Sequence, residues 1–359
     1  MTWSCARTPF PLDEARRAQW ERLAASSPRP HPQQTWWWAE CWARHFRPAS
    51  LELLALSDGG SPRALLPLAT LRQRDPHALL GHSVLTLAGD GFSDALPLLA
   101  APGDLEALEQ AAAWLDARRG AWDETRLSPL IESEAAWPLL DMLRRRGWST
   151  ARVEGNPLLD LGAGWDGLLR RVGRNLRHDV EKKRRRLEEA GLAPRLELER
   201  QWSAGLLAEL EALVRRRHQA EGRRSPFLVP ARRAFIDEIC ALAAARGHLA
   251  CFLSRDGERL LAFRLGFLYH DAFFDWITSY DPELFPFSIG KLLLWDVVER
   301  LCELGARRLD FMAGEEDYKL KWQPEVRGMH HCCVRRASAA NLARALTRAA
   351  GRARAAWRS

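Results

Sequence analysis

The chain has 359 residues, of which 47% are apolar and 28% are charged. These values are close to the globular average, so they exclude a disordered or fibrous protein and leave room for two domains. The net charge of +7 equals the seven arginines from Arg335 onward, where no acid occurs, so the remainder is neutral and a uniformly basic nucleic-acid binder is not indicated.

Several kinds of segment are missing from the sequence. No apolar run approaches the ~18 residues of a membrane span, and residues 1–20 lack the apolar core of a secretory signal. The seven cysteines are odd in number and have no CxxC spacing, which is typical of reduced thiols. We therefore expect a cytoplasmic protein without an integral membrane segment.

The first 150 residues are predicted to form an α/β unit. Helices are predicted over Leu12–Leu23, Gln33–Phe46, Leu105–Arg119 and Glu134–Arg146. Strands are predicted over Leu51–Ser57, Arg63–Arg72, Val84–Leu87 and Ala95–Leu98. Asp58-Gly59-Gly60 separates the first two strands and is a strong hairpin signal.

The second half repeats this arrangement of helices, hairpin, strand and helix. Helices are predicted over Trp165–Glu189, Trp202–Glu221, Pro230–Arg246 and Ser288–Leu304. Strands are predicted over Leu249–Ser254, Arg259–Tyr269, Ala272–Tyr280, Arg307–Met312 and Val326–Arg336. The order indicates an antiparallel meander that is joined to a further strand by a crossover helix.

An ordered set of motifs lies between Tyr280 and Trp322. It comprises Tyr280-Asp281-Pro282, Ser288-Ile289-Gly290-Lys291-Leu292-Leu293, Gly305, Asp310-Phe311, Gly314-Glu315, Tyr318-Lys319 and Trp322. The set resembles the C-terminal half of the GNAT-like acetyltransferases associated with cellulose biosynthesis, which are related to the Fem-type peptidoglycan aminoacyl transferases. The resemblance implies an α/β (α+β) fold of tandem GNAT-like domains, each a mixed, largely antiparallel sheet flanked by helices.

The same resemblance implies a domain organisation. An N-terminal GNAT-like domain would cover residues 1–155, and an acyl-donor-binding GNAT-like domain would cover residues 156–336. Residues 337–359 would form a basic tail rich in alanine and arginine.

The turn at Ser288, Ile289, Gly290, Lys291 and Leu292 is the candidate donor-binding loop. Backbone N–H groups at a helix start suit a phosphate, and Lys291 would supply a counter-charge. On residues alone, an ordinary N-cap at Ser288 on a packing helix is favoured, whereas the resemblance favours the donor site.

The strand that contains Trp276 and Ile277 would align the donor through its free backbone groups, and it reads equally as a core strand. Because Gly290 is the only glycine in the loop, the residues do not define the identity of the acyl donor. Acetyl-CoA or another acyl-CoA is the leading candidate, and an acyl carrier protein or an aminoacyl-tRNA is an alternative.

Acyl transfer needs a base, a donor to the oxyanion and an acid for the leaving group. Asp310 is a candidate base at the end of a strand, and Glu315 lies on the loop beyond it. Tyr318 would protonate the leaving thiolate, and the resemblance assigns oxyanion or donor-phosphate contact to Lys319. Without the resemblance, a solvated acidic turn with a packing Tyr-Lys pair is the favoured interpretation.

Two further clusters have chemical potential. The basic segment from Arg170 to Arg186 would contact tRNA, an acyl carrier protein or a polyanionic glycan, or it is a solvated helix face. In a strand, His330 and Cys332 share one face and His331 and Cys333 the other. Two ligands on a face do not complete a zinc site, so no metal is predicted.

The leading hypothesis is a GNAT-type N-acetyltransferase that moves an acyl group from acyl-CoA to an amine or hydroxyl of a small-molecule or glycan acceptor, in polysaccharide or cell-envelope biosynthesis. The alternatives are a Fem-like aminoacyl-tRNA-dependent transferase and a non-catalytic glycan-binding module on the same fold.

Overall fold

The computed structural model describes residues 3–74, 81–133, 135–338 and 341–342. The chain divides into two compact units: unit 1 comprises residues up to Val153 together with those from Gly328 onward, and unit 2 is Glu154–Arg327. The strand residues 328–335, which the predicted limits place in the second domain, therefore lie in unit 1. Most of the predicted tail, residues 339–340 and 343–359, lies outside the described residues.

Unit 1 is a mixed sheet covered by helices. Its strands are β1 (Ser4–Pro9), β2 (Ser50–Ser57), β3 (Pro62–Arg74), β4 (Gly81–Leu87), β5 (Leu99–Ala100), β6 (Glu124–Ile131), the first residues of β7 (Ser149–Asp160) and most of β13 (Glu325–Arg335). Its helices are α1 (Glu14–Ala25), α2 (Trp36–Phe46), α3 (Leu105–Ala117) and α4 (Ala136–Arg145). Strand order within the unit is β1-β2-β3-β4-β6-β13, with β5 paired to β3.

Unit 2 has a sheet of the order β7-β12-β11-β10-β9-β8. Its strands after β7 are β8 (Arg195–Glu199), β9 (Leu249–Asp256), β10 (Arg259–Tyr269), β11 (Ala272–Tyr280) and β12 (Arg308–Asp310). Its helices are α5 (Gly164–Arg171), α6 (Arg174–Glu189), α7 (Ala204–Ala220), α8 (Pro230–Ala245), α9 (Ile289–Glu303) and α10 (Asp317–Leu320).

Two Asp-Gly turns fix the predicted hairpins. Gly59 (φ +93°) and Gly257 (φ +55°) adopt the left-handed conformation that glycine permits. β2 and β3 pair antiparallel across the first turn, and β9 and β10 pair antiparallel across the second. Both hairpin predictions are confirmed.

Helix α9 covers the sheet of unit 2 through one apolar face. Its leucines and valines are buried with strand residues such as Phe273 in a single core cluster, and the helix ends at Gly305, whose φ is +76°. The packing of the predicted helix on a sheet is confirmed.

Two predicted elements are wrong in detail, and three strands were missed. The basic helix Trp165–Glu189 is two helices, because Val172 and Gly173 are extended between α5 and α6. Ala95–Leu98 is not a strand; it contains Pro97, which has no N–H for a ladder, and only Leu99 and Ala100 pair. The sequence patterns also missed β1, β6 and β8.

Candidate functional site

The parallel pairing of β11 with β12 in unit 2 is short. β11 pairs with β12 over Ala272–Phe274, opposite Arg308–Asp310, and there β12 ends. β11 continues to Tyr280, so residues 275–280 have no β12 partner. The backbone groups of β11 on the side where β12 has ended are those that the sequence analysis predicted to align a donor.

A β-bulge in the pairing of β11 with β10 lies just beyond the last residue that β11 pairs with β12. Leu265 pairs with Ile277 and Gly266 with Asp275, so Trp276 is the extra residue on β11. A Cβ atom on Gly266 would collide with the carbonyl oxygen of Phe274, which explains glycine at this position. Bulges re-aim side chains and are common beside active sites.

The sequence nominated Trp276 and Ile277 for the cofactor. The Trp276 ring packs edge-on against Phe235 at 6.4 Å and lies 5.4 Å from Phe267. Its side chain therefore belongs to the packing against α8, and a contact with a donor would come from the backbone at the bulge.

Helix α9 begins without a side-chain cap. Ser288 has a left-handed backbone (φ +54°), and its side chain accepts no hydrogen bond from the helix, although its carbonyl accepts from the N–H of Lys291 at 2.8 Å. The interpretation of Ser288 as an ordinary side-chain N-cap is therefore wrong. Because the first turn of a helix has N–H groups without intrahelical acceptors, this start suits an anion.

The other four residues of the candidate donor-binding loop differ in their burial and contacts. Lys291 is partly buried, and burial together with the nearby cations lowers the pKa of its ammonium group. Gly290 lies against the Tyr280 ring, where an added Cβ would be 3.4 Å from the nearest ring atom. Ile289 and Leu292 are buried core residues and contribute only backbone to this surface.

A buried ion pair that sequence reasoning missed lies beside the bulge. Arg264 on β10 donates to Asp275 on β11, and the two side chains are 4% and 1% exposed. Arg264 also donates to the Gly290 carbonyl at 3.4 Å, which connects the pair to the start of α9. The sequence contains a signal for this pair, because two apolar strands of the predicted meander each carry a charged residue in their interior. Charged residues are almost never buried without a partner.

This ion pair is incompletely satisfied. Asp275 Oδ1 and Arg264 Nε are buried and have no hydrogen-bond partner among the described residues. Burial raises the pKa of the Asp275 carboxyl, and the charge of Arg264 opposes that rise. Unpaired buried polar atoms are costly, which favours a role beyond stability.

Asp310 is enclosed by donors. Its Oδ1 accepts from Asn156 at 2.7 Å and from the N–H of Met312 at 2.8 Å, and its Oδ2 accepts from Arg327 at 2.7 Å. The residue is 1% exposed. Both oxygens are occupied, so this carboxylate holds the chain that follows β12 in place.

Lys319 also holds the chain that follows β12 in place. Its ammonium group donates to the carbonyls of Ala313 at 2.8 Å and Gly314 at 3.2 Å, and it pairs with Glu316 at 2.8 Å. The residue is only 4% exposed. An oxyanion or a phosphate would therefore have to replace one of these acceptors.

Tyr318 directly precedes the lysine on α10, and Glu315 lies on the loop before that helix. The Arg264 guanidinium lies 5.7 Å from the centre of the Tyr318 ring, and burial raises the pKa of the phenol. The structure thus brings Tyr318, Lys319 and the Arg264–Asp275 pair together. Glu315 is exposed and its side chain lies against Gly155.

The His/Cys cluster gains a third member from a neighbouring strand. Ligand atoms of His331, Cys333 and Glu124 lie within 4.8 Å of one another. Arg335 pairs with Glu124 at 3.2 Å and Arg126 lies 4.0 Å from it, so arginines supply the positive charge here. The prediction of no metal stays a prediction.

Comparisons with known proteins identify the kind of fold. Residues 174–320 match the family model described as "Acetyltransferase (GNAT) domain". No curated protein matches the chain. None of the helices in the described part of the chain is long and apolar enough to cross a membrane.

Solved structures resemble nearly the whole chain. FemX is 12% identical with a TM-score of 0.63, covering 91% of this chain and 96% of its own. A tandem GNAT protein from the clavulanic acid biosynthesis pathway is 15% identical with a TM-score of 0.52, covering 92% and 98%. The C-terminal domain of a putative lysylphosphatidylglycerol synthetase from Agrobacterium fabrum is 15% identical with a TM-score of 0.52, covering 93% and 95%.

These likenesses confirm the predicted fold class, a mixed α/β chain of tandem GNAT-like domains. At such identities they concern the fold alone. The narrower resemblance to the acetyltransferases associated with cellulose biosynthesis stays a prediction, as do the roles of the individual site residues.

Proposed function

We propose that the protein is an acyltransferase that moves an acyl group from acyl-CoA, in the simplest case acetyl-CoA, to an amine or hydroxyl of a small-molecule or glycan acceptor. The observation that carries this proposal is the pairing of two features in unit 2. The start of α9 has no side-chain cap, and β11 runs past the end of β12 with a bulge at Trp276.

The donor would occupy both features. Its phosphates would accept hydrogen bonds from the first N–H groups of α9, with Lys291 as counter-charge. Its extended arm would run along the unpaired side of β11 beyond Asp275. The thioester carbonyl would then lie near the bulge, where a backbone N–H can polarise it.

The proposed chemistry is direct attack on the thioester. The acceptor nitrogen or oxygen bonds to the carbonyl carbon, the oxyanion collapses, and the carbon–sulfur bond breaks. The acceptor's proton passes to a base, and the thiolate takes a proton from an acid, for which Tyr318 is the candidate. Lys319 would donate to the oxyanion once it releases the carbonyl of Ala313 or Gly314.

The base is better supplied by Glu315 than by Asp310. Asp310 accepts three hydrogen bonds and is buried, so we propose it as a positioning residue for the loop that leads to Lys319 on α10. Glu315 is exposed on that same loop. A carboxylate that solvent and acceptor can reach suits proton removal.

Release of free thiol from a panel of acyl-CoA donors, with amine and hydroxyl acceptors, tests the activity. Lys319→Ala should lower kcat at least tenfold while the circular dichroism spectrum is retained. Lys182→Ala, which removes an equal charge from an exposed side chain on α6, should change kcat less than threefold. No calorimetric binding across the acyl-CoA panel, or equal rates for Lys319→Ala and the wild type, would contradict the proposal.

A second candidate function is aminoacyl transfer from aminoacyl-tRNA, as the Fem-type resemblance implies. The observation in its favour is the set of exposed arginines on α5 and α6. It predicts affinity for tRNA that falls steeply with salt concentration, and aminoacyl transfer without acyl-CoA.

A further inference from the structure

The two halves of the basic segment 170–186 differ in how many of their cations are engaged. In the C-terminal half, Lys183 pairs with Asp179 and Arg184 pairs with Asp296. Arg186 lies 5.8 Å from the centre of the Phe287 ring. Three of the five cations in this half are therefore engaged within unit 2, while Lys182 and Arg185 are exposed, so this half is an interrupted track for a polyanion.

The N-terminal half differs. Arg170, Arg174 and Arg177 are exposed and have no ion-pair partner among the described residues. Arg171 donates only to the Asp160 carbonyl, at 2.9 Å, and so its charge is also not neutralised. Like charges that converge with too few acids to balance them raise one another's energy, and an anion relieves this cost.

These four arginines surround one cavity of about 440 Å³. The cavity lies at the break between α5 and α6, and its remaining lining is Asp166, Leu169, Val172 and Gly173. Asp166 is the single acid, so the lining carries a net charge of +3. The volume lies within the ~300–1,000 Å³ typical of small-ligand sites.

The backbone at the break adds to this charge. Gly173 is the extended residue before α6, and no side chain caps the helix. The first N–H groups of a helix of 16 residues therefore add partial positive charge beside the four guanidinium groups. The arginines provide the charge and the hydrogen-bond forks that phosphate oxygens prefer.

We propose that this arginine cavity binds a compact phosphate group of the diphosphate class. A diphosphate concentrates several negative charges in one place, as the arginines concentrate theirs. A nucleic acid would instead require accessible cations along the surface, whereas Lys183, Arg184 and Arg186 of the C-terminal half are engaged within unit 2. The lining of this cavity shares no residue with the loop 288–292, so the proposal assigns it a second phosphate compound besides the proposed CoA donor.

Calorimetry with inorganic pyrophosphate tests the site. In the full chain, Arg174→Ala with Arg177→Ala should weaken pyrophosphate binding at least tenfold. The matched control is Lys182→Ala with Arg185→Ala, which removes the same charge from exposed positions of the same helix. It should change the dissociation constant less than threefold, and circular dichroism should show both variants folded.

Three outcomes would overturn the proposal. Pyrophosphate does not bind the wild type at millimolar concentration; or both double variants lose affinity equally, which indicates diffuse charge; or a short RNA hairpin binds the wild type far more tightly than pyrophosphate and the control variant loses that affinity.

A further variant separates this site from the donor loop. If pyrophosphate binds only at the start of α9, Ser288→Asp abolishes binding and the α6 double variant keeps it. That result would overturn the arginine cavity while leaving the proposed acyltransferase function intact.

Discussion

Both units contain a β-α-β crossover, but the first turn of the crossover helix differs between them. In unit 1, β4 is followed by the short strand β5, by α3 and then by β6, which pairs parallel with β4. In unit 2, β11 is followed by α9 and then by β12, which pairs parallel with β11. The contrast lies in what occupies the first turn of the two helices.

The start of α3 is closed by a carboxylate. Asp104 accepts from the N–H of Ala107 at 3.0 Å and from Arg63 at 2.6 and 2.7 Å. An anion and its cation thus already lie where a phosphate would bind. The start of α9 has no such side chain.

The preceding strands differ in the same sense. β4 pairs with β3 in continuous register over residues 81–87, whereas β11 has the bulge at Trp276. A shared crossover therefore does not define a site. The open helix start and the bulged strand together make unit 2 the candidate donor-binding unit.

The largest expected effect comes from the buried ion pair of unit 2. Arg264→Met leaves the Asp275 carboxylate buried without its partner, which costs about 3–5 kcal/mol. Urea unfolding of the variant and the wild type measures the loss. Arg63→Met in unit 1 should cost less, because the Arg63 side chain is 30% exposed and water replaces part of the interaction.

A double variant separates stability from function. Arg264→Met with Asp275→Leu removes both charges, so it should regain most of the lost free energy of unfolding. Acyl transfer should nevertheless stay at least tenfold below the wild type if the pair serves the site. Full activity in a stable double variant would show that the pair is only structural.

A smaller effect is expected when α9 is made to resemble α3. Ser288→Asp places a carboxylate beside the first turn of α9, and Asp tolerates the left-handed backbone there. Repulsion of the donor phosphate should weaken acyl-CoA binding about tenfold, or ~1.4 kcal/mol. Calorimetry with acetyl-CoA checks this.

Asp104→Asn is the matched control in unit 1. It weakens the pair with Arg63 but keeps an oxygen that accepts from Ala107, so it should cost about 1 kcal/mol of stability. The dissociation constant for acyl-CoA should stay unchanged. A loss of donor affinity in this variant would place the donor site in unit 1.

The sequence predicted these features unequally. Asp-Gly turns and helix periodicity act locally, so both hairpins and α9 were predictable. The role assigned to Lys319 came from the resemblance and stays a prediction. The Arg264–Asp275 pair depends on the bulge at Trp276, which brings two charges to one face of the sheet. Asp310 requires Arg327 and Asn156, distant in sequence, and no local pattern encodes that contact.

The smallest effect concerns the pH dependence of stability. Burial raises the pKa of Asp296 to about 6, with Arg184 opposing the rise. The folded state therefore binds the proton more tightly, and this residue's contribution to stability falls as pH rises from about 4 to 6. Asp296→Asn removes that fall, but the side chain is 34% exposed, so the gain in stability at pH 7 should stay below ~1 kcal/mol.

The pKa of Asp123 in unit 1 shifts in the opposite direction. Burial raises this pKa, but hydrogen bonds from the Ser83 N–H and from Arg336 outweigh burial and lower it. Asp123→Asn should therefore lower stability at pH 7, and equal shifts in both variants by urea unfolding at pH 4 and 7 would contradict the contrast.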